Sequence, residues 1–316
     1  MNRNLICPIC GSAGYKELDF GGYVYSHRVF PLVECSGCLL KYISHNLTDN
    51  EISSFYNNDK YFESEYAGGT NKNYTDNELG QVSKASYVLK KIDKYRNNNS
   101  NRLLEIGCAG GYFLKTAQGE FGYSVVGVEM SKTMSDLAKN KNLEVYQGSI
   151  DNLPSTVDNF DLIYMGDVLE HMSEPNDFIS KIKKKLNYDG LIILELPLTY
   201  NITMFGVVAW LANLLKGKIG CKYLLPAQHR GYLIKKPPYH LIMFNRRSIK
   251  KYLSLNNMQL KYIKVYEGYP KRKFNNMFLY FIKLLTHYLT IIFNQKIFGD
   301  RAIVIAQKNE DTLLFR

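Results

Sequence analysis

The segment from Arg102 to Glu129 constrains this chain most. Arg102-Leu103-Leu104-Glu105-Ile106 reads as a buried strand and runs straight into Gly107-Cys108-Ala109-Gly110-Gly111, after which Tyr112 to Ala117 opens a helix. A second apolar run, Ser124 to Val128, ends in Glu129, and Ser131 then caps a helix reaching Asn140. Strand, glycine-rich turn, helix, strand and acid make the βαβ unit that takes a nucleoside at the C-terminal ends of its strands. Glycines let the backbone approach the ligand, and a carboxylate about twenty residues on accepts hydrogen bonds from both ribose hydroxyls. A dinucleotide-binding version wants GxGxxG, with phosphates on the helix N-terminus. Here the register is GxxGG, and Glu105 suits an amino group and would repel a pyrophosphate.

Four of the six cysteines fall into two pairs, Cys7-Pro8-Ile9-Cys10 and Cys35-Ser36-Gly37-Cys38, with 24 residues between them. Each CxxC turn brings two thiolates to one ion, and two turns complete a tetrahedral four-sulfur shell with no open position. The spacing therefore predicts a structural zinc held by Cys7, Cys10, Cys35 and Cys38, with Gly11 and Gly37 easing the knuckle turns. Tyr23 to Tyr25 and Val29 to Val33 read as short strands between the knuckles, giving a zinc ribbon too small to hold a core without its metal.

Hydrophobic residues make up 46% of the 316, enough for a real core, and a wholly disordered or collagen-like chain is excluded. Charge is uneven. Residues 1–177 carry 16 basic and 23 acidic side chains, a net of −7, whereas 178–316 carry 24 and 6, a net of +18. That step fits an anionic partner for the second half, and equally a solvated basic face in a Lys-rich chain. The start has no apolar signal segment, and no run reaches the length of a membrane span, so the expectation is a cytoplasmic protein. Two apolar stretches, 204–215 and 274–298, come nearest. The first reads as a buried lid helix or as an interfacial helix beside a lipid-linked acceptor, which would rest the protein on the inner membrane face. Between ribbon and βαβ unit, Thr48 with Glu51 can cap a helix through Tyr56, and Asn77 to Tyr95 carries helical periodicity before Asn97-Asn98-Asn99-Ser100 breaks it. The expected division is a zinc ribbon at 1–46, a helical connector at 47–100 and a main domain at 101–316.

These motifs resemble the class I S-adenosylmethionine-dependent methyltransferases. LLEIGCAGGYFL matches their first motif and VVGVEMS their second, with Glu129 as the ribose acid; FDLIYMGDVLEHMSEP (160–175) is similar to their fourth strand and turn, LIILELP (191–197) to their fifth, and RAIVIAQK (301–308) to their seventh. The resemblance implies a seven-stranded, mostly parallel Rossmann-like α/β sheet whose last strand is reversed. It implies S-adenosylmethionine bound by Glu105, Gly107, Cys108, Ala109, Gly111, Glu129, Met130, Ser149, Ile150 and Met165. Two departures stand out. Ala109 replaces the middle glycine, and the acid after strand three is absent, leaving Ser149, Ile150 or neighbouring Asp151 for the adenine.

A four-Cys module before such a domain resembles a bacterial subgroup acting in sugar and surface-polysaccharide pathways. The implied reaction is O- or C-methylation of a small anionic acceptor, a nucleotide sugar or lipid-linked precursor, with nucleic acid not expected. Lys235, Lys236, Arg246 and Arg247, with Arg230, could hold its diphosphate. A zinc-ribbon RNA methyltransferase and a non-catalytic adaptor are the alternatives; the first would use the basic half on phosphates, and the intact glycine and acid set argues against the second. His240 and Tyr239, stiffened by Pro237-Pro238, resemble the base-bearing segment of sugar methyltransferases, and His171 follows strand four beside the cofactor. Each histidine could move a proton or could simply pack.

Overall fold

The computed structural model describes residues 5–44, 47–56, 78–96, 101–198, 203, 233–268, 277–292 and 299–308. The N-terminal segment forms β1 (Tyr15–Tyr25), β2 (Arg28–Cys35) and β3 (Lys41–Ile43). Ser26 and His27 join β1 to β2, both at positive φ (48° and 59°), the turn whose twist matches a two-residue hairpin. The strands run longer than the short ones expected, because Cys35 itself ends β2. In the second knuckle the left-handed residue is Leu39 (φ 61°) and not Gly37.

The connector begins with α1 (Asp49–Tyr56), whose start is a reciprocal cap: the Glu51 amide donates to Thr48 Oγ1, and the Thr48 amide donates to Glu51 Oε2. α2 (Glu78–Ile92) buries Ala85, Val88, Leu89 and Ile92 against the main domain.

The main sheet contains β4 (Arg102–Ile106), β5 (Ser124–Glu129), β6 (Glu144–Gln147), β7 (Phe160–Gly166), β8 (Leu186–Pro197), β11 (Met258–Tyr266) and β12 (Arg301–Lys308). Their order is β11-β12-β8-β7-β4-β5-β6, parallel from β6 through β8, with β12 antiparallel to both β8 and β11. This is the Rossmann-like methyltransferase sheet with the reversed last strand. Flanking it are α3 (Tyr112–Phe121), α4 (Lys132–Lys139), α5 (Pro175–Lys185), α6 (Arg246–Leu255) and α7 (Met277–Ile292). Ser131 caps α4, and Asn245 with Ser248 forms a capping box on α6. The lysines ending α5 are more than a solvated face. Lys183 donates to the Asn256 carbonyl, and Lys185 to the carbonyls of Pro154 and Val157.

The ribbon does not stand alone. Two short strands from far along the chain, β9 (Ile234–Lys235) and β10 (Ile242–Met243), complete its sheet in the order β10-β3-β2-β1-β9. Ile9, Val33, Leu40 and Tyr42 share one continuous core with Leu104, Ile106, Ile163 and Phe244. Asn176, at the start of α5, donates to the carbonyls of Pro8 and Ile9 at 3.2 and 3.0 Å, and Asn245 donates to that of Leu39. Both knuckles are thus moored to the main sheet. The stretch 204–215 and Arg230 lie outside the described residues; of 274–298, only α7 is described.

Candidate active site at the carboxyl edge of the sheet

Because β4, β5 and β7 are parallel, their C-terminal ends open on one edge, and a cleft lies there. Its floor is the turn from Gly107 to Ala109, with Glu105 below, Phe113 and Tyr164 to one side, and Gln81 and Lys84 of α2 above. Gly107 and Gly111 sit at φ 72° and 74°; a Cβ would lie 2.7 Å from Val168 Cγ2 at the first and 2.6 Å from Leu143 Cδ1 at the second. Only glycine meets both demands cheaply. Ala109 holds a left-handed φ of 45°, so the alanine at the middle position carries strain of about 1–2 kcal/mol. Phe113 and Tyr164 stack with ring centroids 4.0 Å apart.

Glu129 is buried and fixed by backbone: its Oε2 accepts from the Ala109 amide and its Oε1 from the Ser131 amide, each at 2.8 Å. The acid that the sequence assigns to ribose therefore also pins the glycine-rich turn. Glu105 is buried, and its Oε2 has no hydrogen-bond partner. Burial, reinforced by the Glu129 charge, pushes its carboxyl well above the usual carboxylate range. A buried acid with an unpartnered oxygen on the floor of a cleft fits the ammonium of a bound amino acid moiety, so the residues present suit S-adenosylmethionine.

Other expected cofactor residues fall outside the cleft lining. Met165 points its side chain into the core at 1% exposure, and Gly166 lines the cleft in its place. Met130 is half-buried beyond Glu129. Ser149 caps a short turn by accepting from the Asp151 amide, Ile150 packs in the core, and Asp151 pairs with Lys181 at 2.9 Å. These three directly follow β6.

A charged cluster that sequence reasoning missed sits on the same edge. Glu195, with a fully buried side chain, accepts from Tyr164 and Tyr266 hydroxyls at 2.7 and 2.8 Å and meets Lys84 and Arg301, each at 3.0 Å. Asp167 pairs with Arg301 at 2.6 Å and with Lys84 at 3.6 Å. Burial alone would raise both carboxyls; the neighbouring Lys84 and Arg301 hold both below the usual range.

The expected acceptor-side residues come together beside this cluster, though none lines the cleft. His171 and His240 lie edge to face with centroids 4.9 Å apart. Burial, with His171 alongside, lowers His240 to about 3, and burial lowers His171 too. A base at His240 would therefore titrate below the usual imidazole range. Tyr239 corrects another expectation. Its ring packs edge-on against Phe55 of α1 at 6.0 Å with Lys236 above it, which turns it into the ribbon's core and away from the cleft.

In the ribbon, the sulfurs of Cys7 and Cys38 stand 3.6 Å apart and those of Cys10 and Cys35 3.5 Å, with all four within 4.8 Å of one another. A tetrahedron with Zn–S of about 2.3 Å has edges of about 3.8 Å, so this quartet fits zinc. The Cys38 sulfur lowers the Cys7 thiol to about 5.

Comparison with known proteins agrees with this geometry. A family model described as "Methyltransferase domain" matches residues 82–261. The chain is 32% identical over 108 residues to the mitochondrial ubiquinone biosynthesis O-methyltransferase of Schizosaccharomyces pombe, covering 31% of this chain and 38% of that protein. It is 28% identical over 162 residues to the ubiquinone biosynthesis O-methyltransferase of Bartonella tribocorum, covering 49% and 59%. The chain thus spans less than two thirds of the length of either relative. A solved complex of a Haloferax volcanii methyltransferase with the Trm112 methyltransferase activator aligns at a TM-score of 0.50 and 11% identity, covering 80% of this chain and 97% of that one, a likeness of fold alone.

Proposed function

The chain belongs to the methyltransferase-domain family, and from that premise we propose that it transfers a methyl group from S-adenosylmethionine to a small molecule. The observation that carries the reading is the unpartnered Glu105 oxygen on the floor of a cleft whose turn is pinned by Glu129. When bound, the cofactor supplies an electrophilic methyl on a sulfonium. Glu105 would take its ammonium, Lys84 offers a cation to its carboxylate, and Glu129 keeps lone pairs for ribose hydroxyls. The stacked Phe113 and Tyr164 wall the cleft from water on one side. With a good leaving group already present, the protein's task is alignment first and removal of the acceptor's proton second.

The names of the relatives favour oxygen as the acceptor atom. A hydroxyl on a sugar or surface-polysaccharide precursor has the same chemistry. Lys235 and Lys236 at β9, with Arg246 and Arg247 opening α6, suit an anionic, nucleotide-linked or lipid-linked form of it. Among the described residues no helix is long and apolar enough to cross a membrane. Calorimetry with S-adenosylhomocysteine tests the cofactor, and a mass gain of one CH2 on hydroxylated quinone precursors or on nucleotide sugars tests the acceptor. Absence of S-adenosylhomocysteine binding to the folded chain would refute the proposal.

A further inference from the structure

We propose that α2 and β11 hold between them a binding site for a phosphate-type oxyanion, built on Lys91, Lys264 and the Tyr87 hydroxyl. On α2 and the short helical turn that continues it, Tyr87, Lys91 and Tyr95 recur every four residues and so share a face. On β11, Tyr262, Lys264 and Tyr266 alternate and so share the face that packs under that helix. The two rows meet in register. Tyr87 lies against Tyr266 with ring centroids 6.3 Å apart, and Tyr95 lies against Tyr262 at 5.5 Å. Lys91 and Lys264 are the middle members of the two rows, so their side chains come together between the ring pairs. The Lys91 charge, after burial, pushes the Lys264 ammonium below the usual lysine range.

Like charges thus face one another with no acid to offset them. Lys264 is 4% exposed, and among the described residues neither lysine pairs with a carboxylate. Lys91 has other company: it lies in the last turn of α2, where a cation suits the helix dipole, and its Nζ stands 5.5 Å from the Tyr87 ring centroid. Lys264, in the middle of a strand, has neither. The Tyr87 hydroxyl is buried and also has no hydrogen-bond partner. Native proteins rarely leave such donors unmet in the interior. A phosphate would accept from both ammonium groups and from the phenol, and would offset both charges. Tyr95, at the outer end of the row, is exposed, which opens the site to solvent. The site is separate from the cleft, because Lys264 lies two positions back along β11 from Tyr266, the residue that meets Glu195 at the carboxyl edge. A ligand here would fasten α2, which carries Gln81 and Lys84 over the cleft, to the edge strand of the sheet.

The test is calorimetric titration of the zinc-loaded full chain with inorganic phosphate, at an ionic strength held constant with chloride. Saturable binding is expected, with affinity falling at least about tenfold in Lys264→Met and less in Tyr87→Phe. Lys90→Met, on the exposed side of α2, should leave it unchanged. Losing an unpaired buried ammonium should also raise the unfolding temperature of Lys264→Met in phosphate-free buffer, a readout that shows the variant is folded. Were it misfolded, Tyr87→Phe carries the test. No saturable phosphate binding at millimolar concentration would overturn the site, as would wild-type affinity in the folded Lys264→Met or an equal loss in Lys90→Met. Tighter binding of acetate than of phosphate would overturn the ligand class. The fastening of α2 rests on the methyl-transfer reading, and it predicts that phosphate tightens S-adenosylhomocysteine binding in the wild type and not in Lys264→Met. Affinity indifferent to phosphate would overturn the fastening. Absence of S-adenosylhomocysteine binding would instead count against the cofactor reading, with the phosphate titration still deciding the site.

Discussion

Arg301→Leu offers the sharpest test of the charged cluster at the carboxyl edge. The guanidinium meets Asp167 at 2.6 Å and Glu195 at 3.0 Å, and its Nε donates to the Tyr266 hydroxyl at 3.3 Å. Removing it leaves two carboxylates facing Lys84, whose side chain is 41% exposed and correspondingly screened. Breaking a buried pair from one side costs about 3–5 kcal/mol, and the new leucine recovers some apolar contact, so we expect about 3 kcal/mol at pH 7. The pH dependence sharpens this. In the wild type both acids titrate below their unfolded values, so their contribution is present above about pH 4 and is lost as pH falls. Without Arg301 burial prevails, at least one carboxyl rises above its unfolded pKa, and protonation relieves it. The deficit relative to wild type should therefore be largest at neutral pH and shrink towards pH 4. Urea unfolding at the two pH values measures both quantities. A loss under about 1 kcal/mol at pH 7, or a deficit that grows on acidification, would refute the reasoning.

Three further outcomes are expected. X-ray absorption on the purified chain should show one four-sulfur zinc, lost in Cys35→Ser; because the knuckles share the main core, that variant should lower the unfolding temperature of the whole chain, and an unmoved main transition would contradict the shared packing. By calorimetry Glu129→Ala should weaken S-adenosylhomocysteine binding by about 2–3 kcal/mol, and Gly107→Val, whose Cβ would press on Val168, should abolish it; wild-type affinity in either would displace the assigned cleft. Burial holds Glu105 towards its neutral form, so an arriving ammonium should shift it towards the carboxylate and release protons, seen as buffer-dependent binding enthalpy that shrinks in Glu105→Gln.

Much of this arrangement was legible in the sequence because it is local. The run from Arg102 to Glu129 carries its own strand periodicity, turn glycines and cap, and the CxxC pairs carry their own ligand spacing. What escaped depends on distant partners. β9 and β10 are two residues each, too short for any alternation to register. Lys84 lies on a polar helical stretch, where nothing marks it off from a solvated lysine, and its meaning appears only once α2 covers the cleft. Tyr239 looked free to reach the cleft because Phe55, the ring it packs on, lies 184 positions earlier in the chain. The division at residue 46 met the same limit: a boundary drawn from spacing cannot show that the first module borrows strands from the last third.

That borrowing has a consequence for the order of events during synthesis. The β1–β2 hairpin and the four cysteines emerge before the main sheet, and a zinc ion held there would gather the knuckles at once. The sheet they belong to still lacks both outer strands until residue 243 has left the ribosome. Until then β1 and β3 present unpaired edges, the template on which nascent chains misassociate. The ribbon is thus begun before the main sheet and finished only after most of that sheet has been made. Truncations that end before β10 should yield chains that hold zinc yet aggregate.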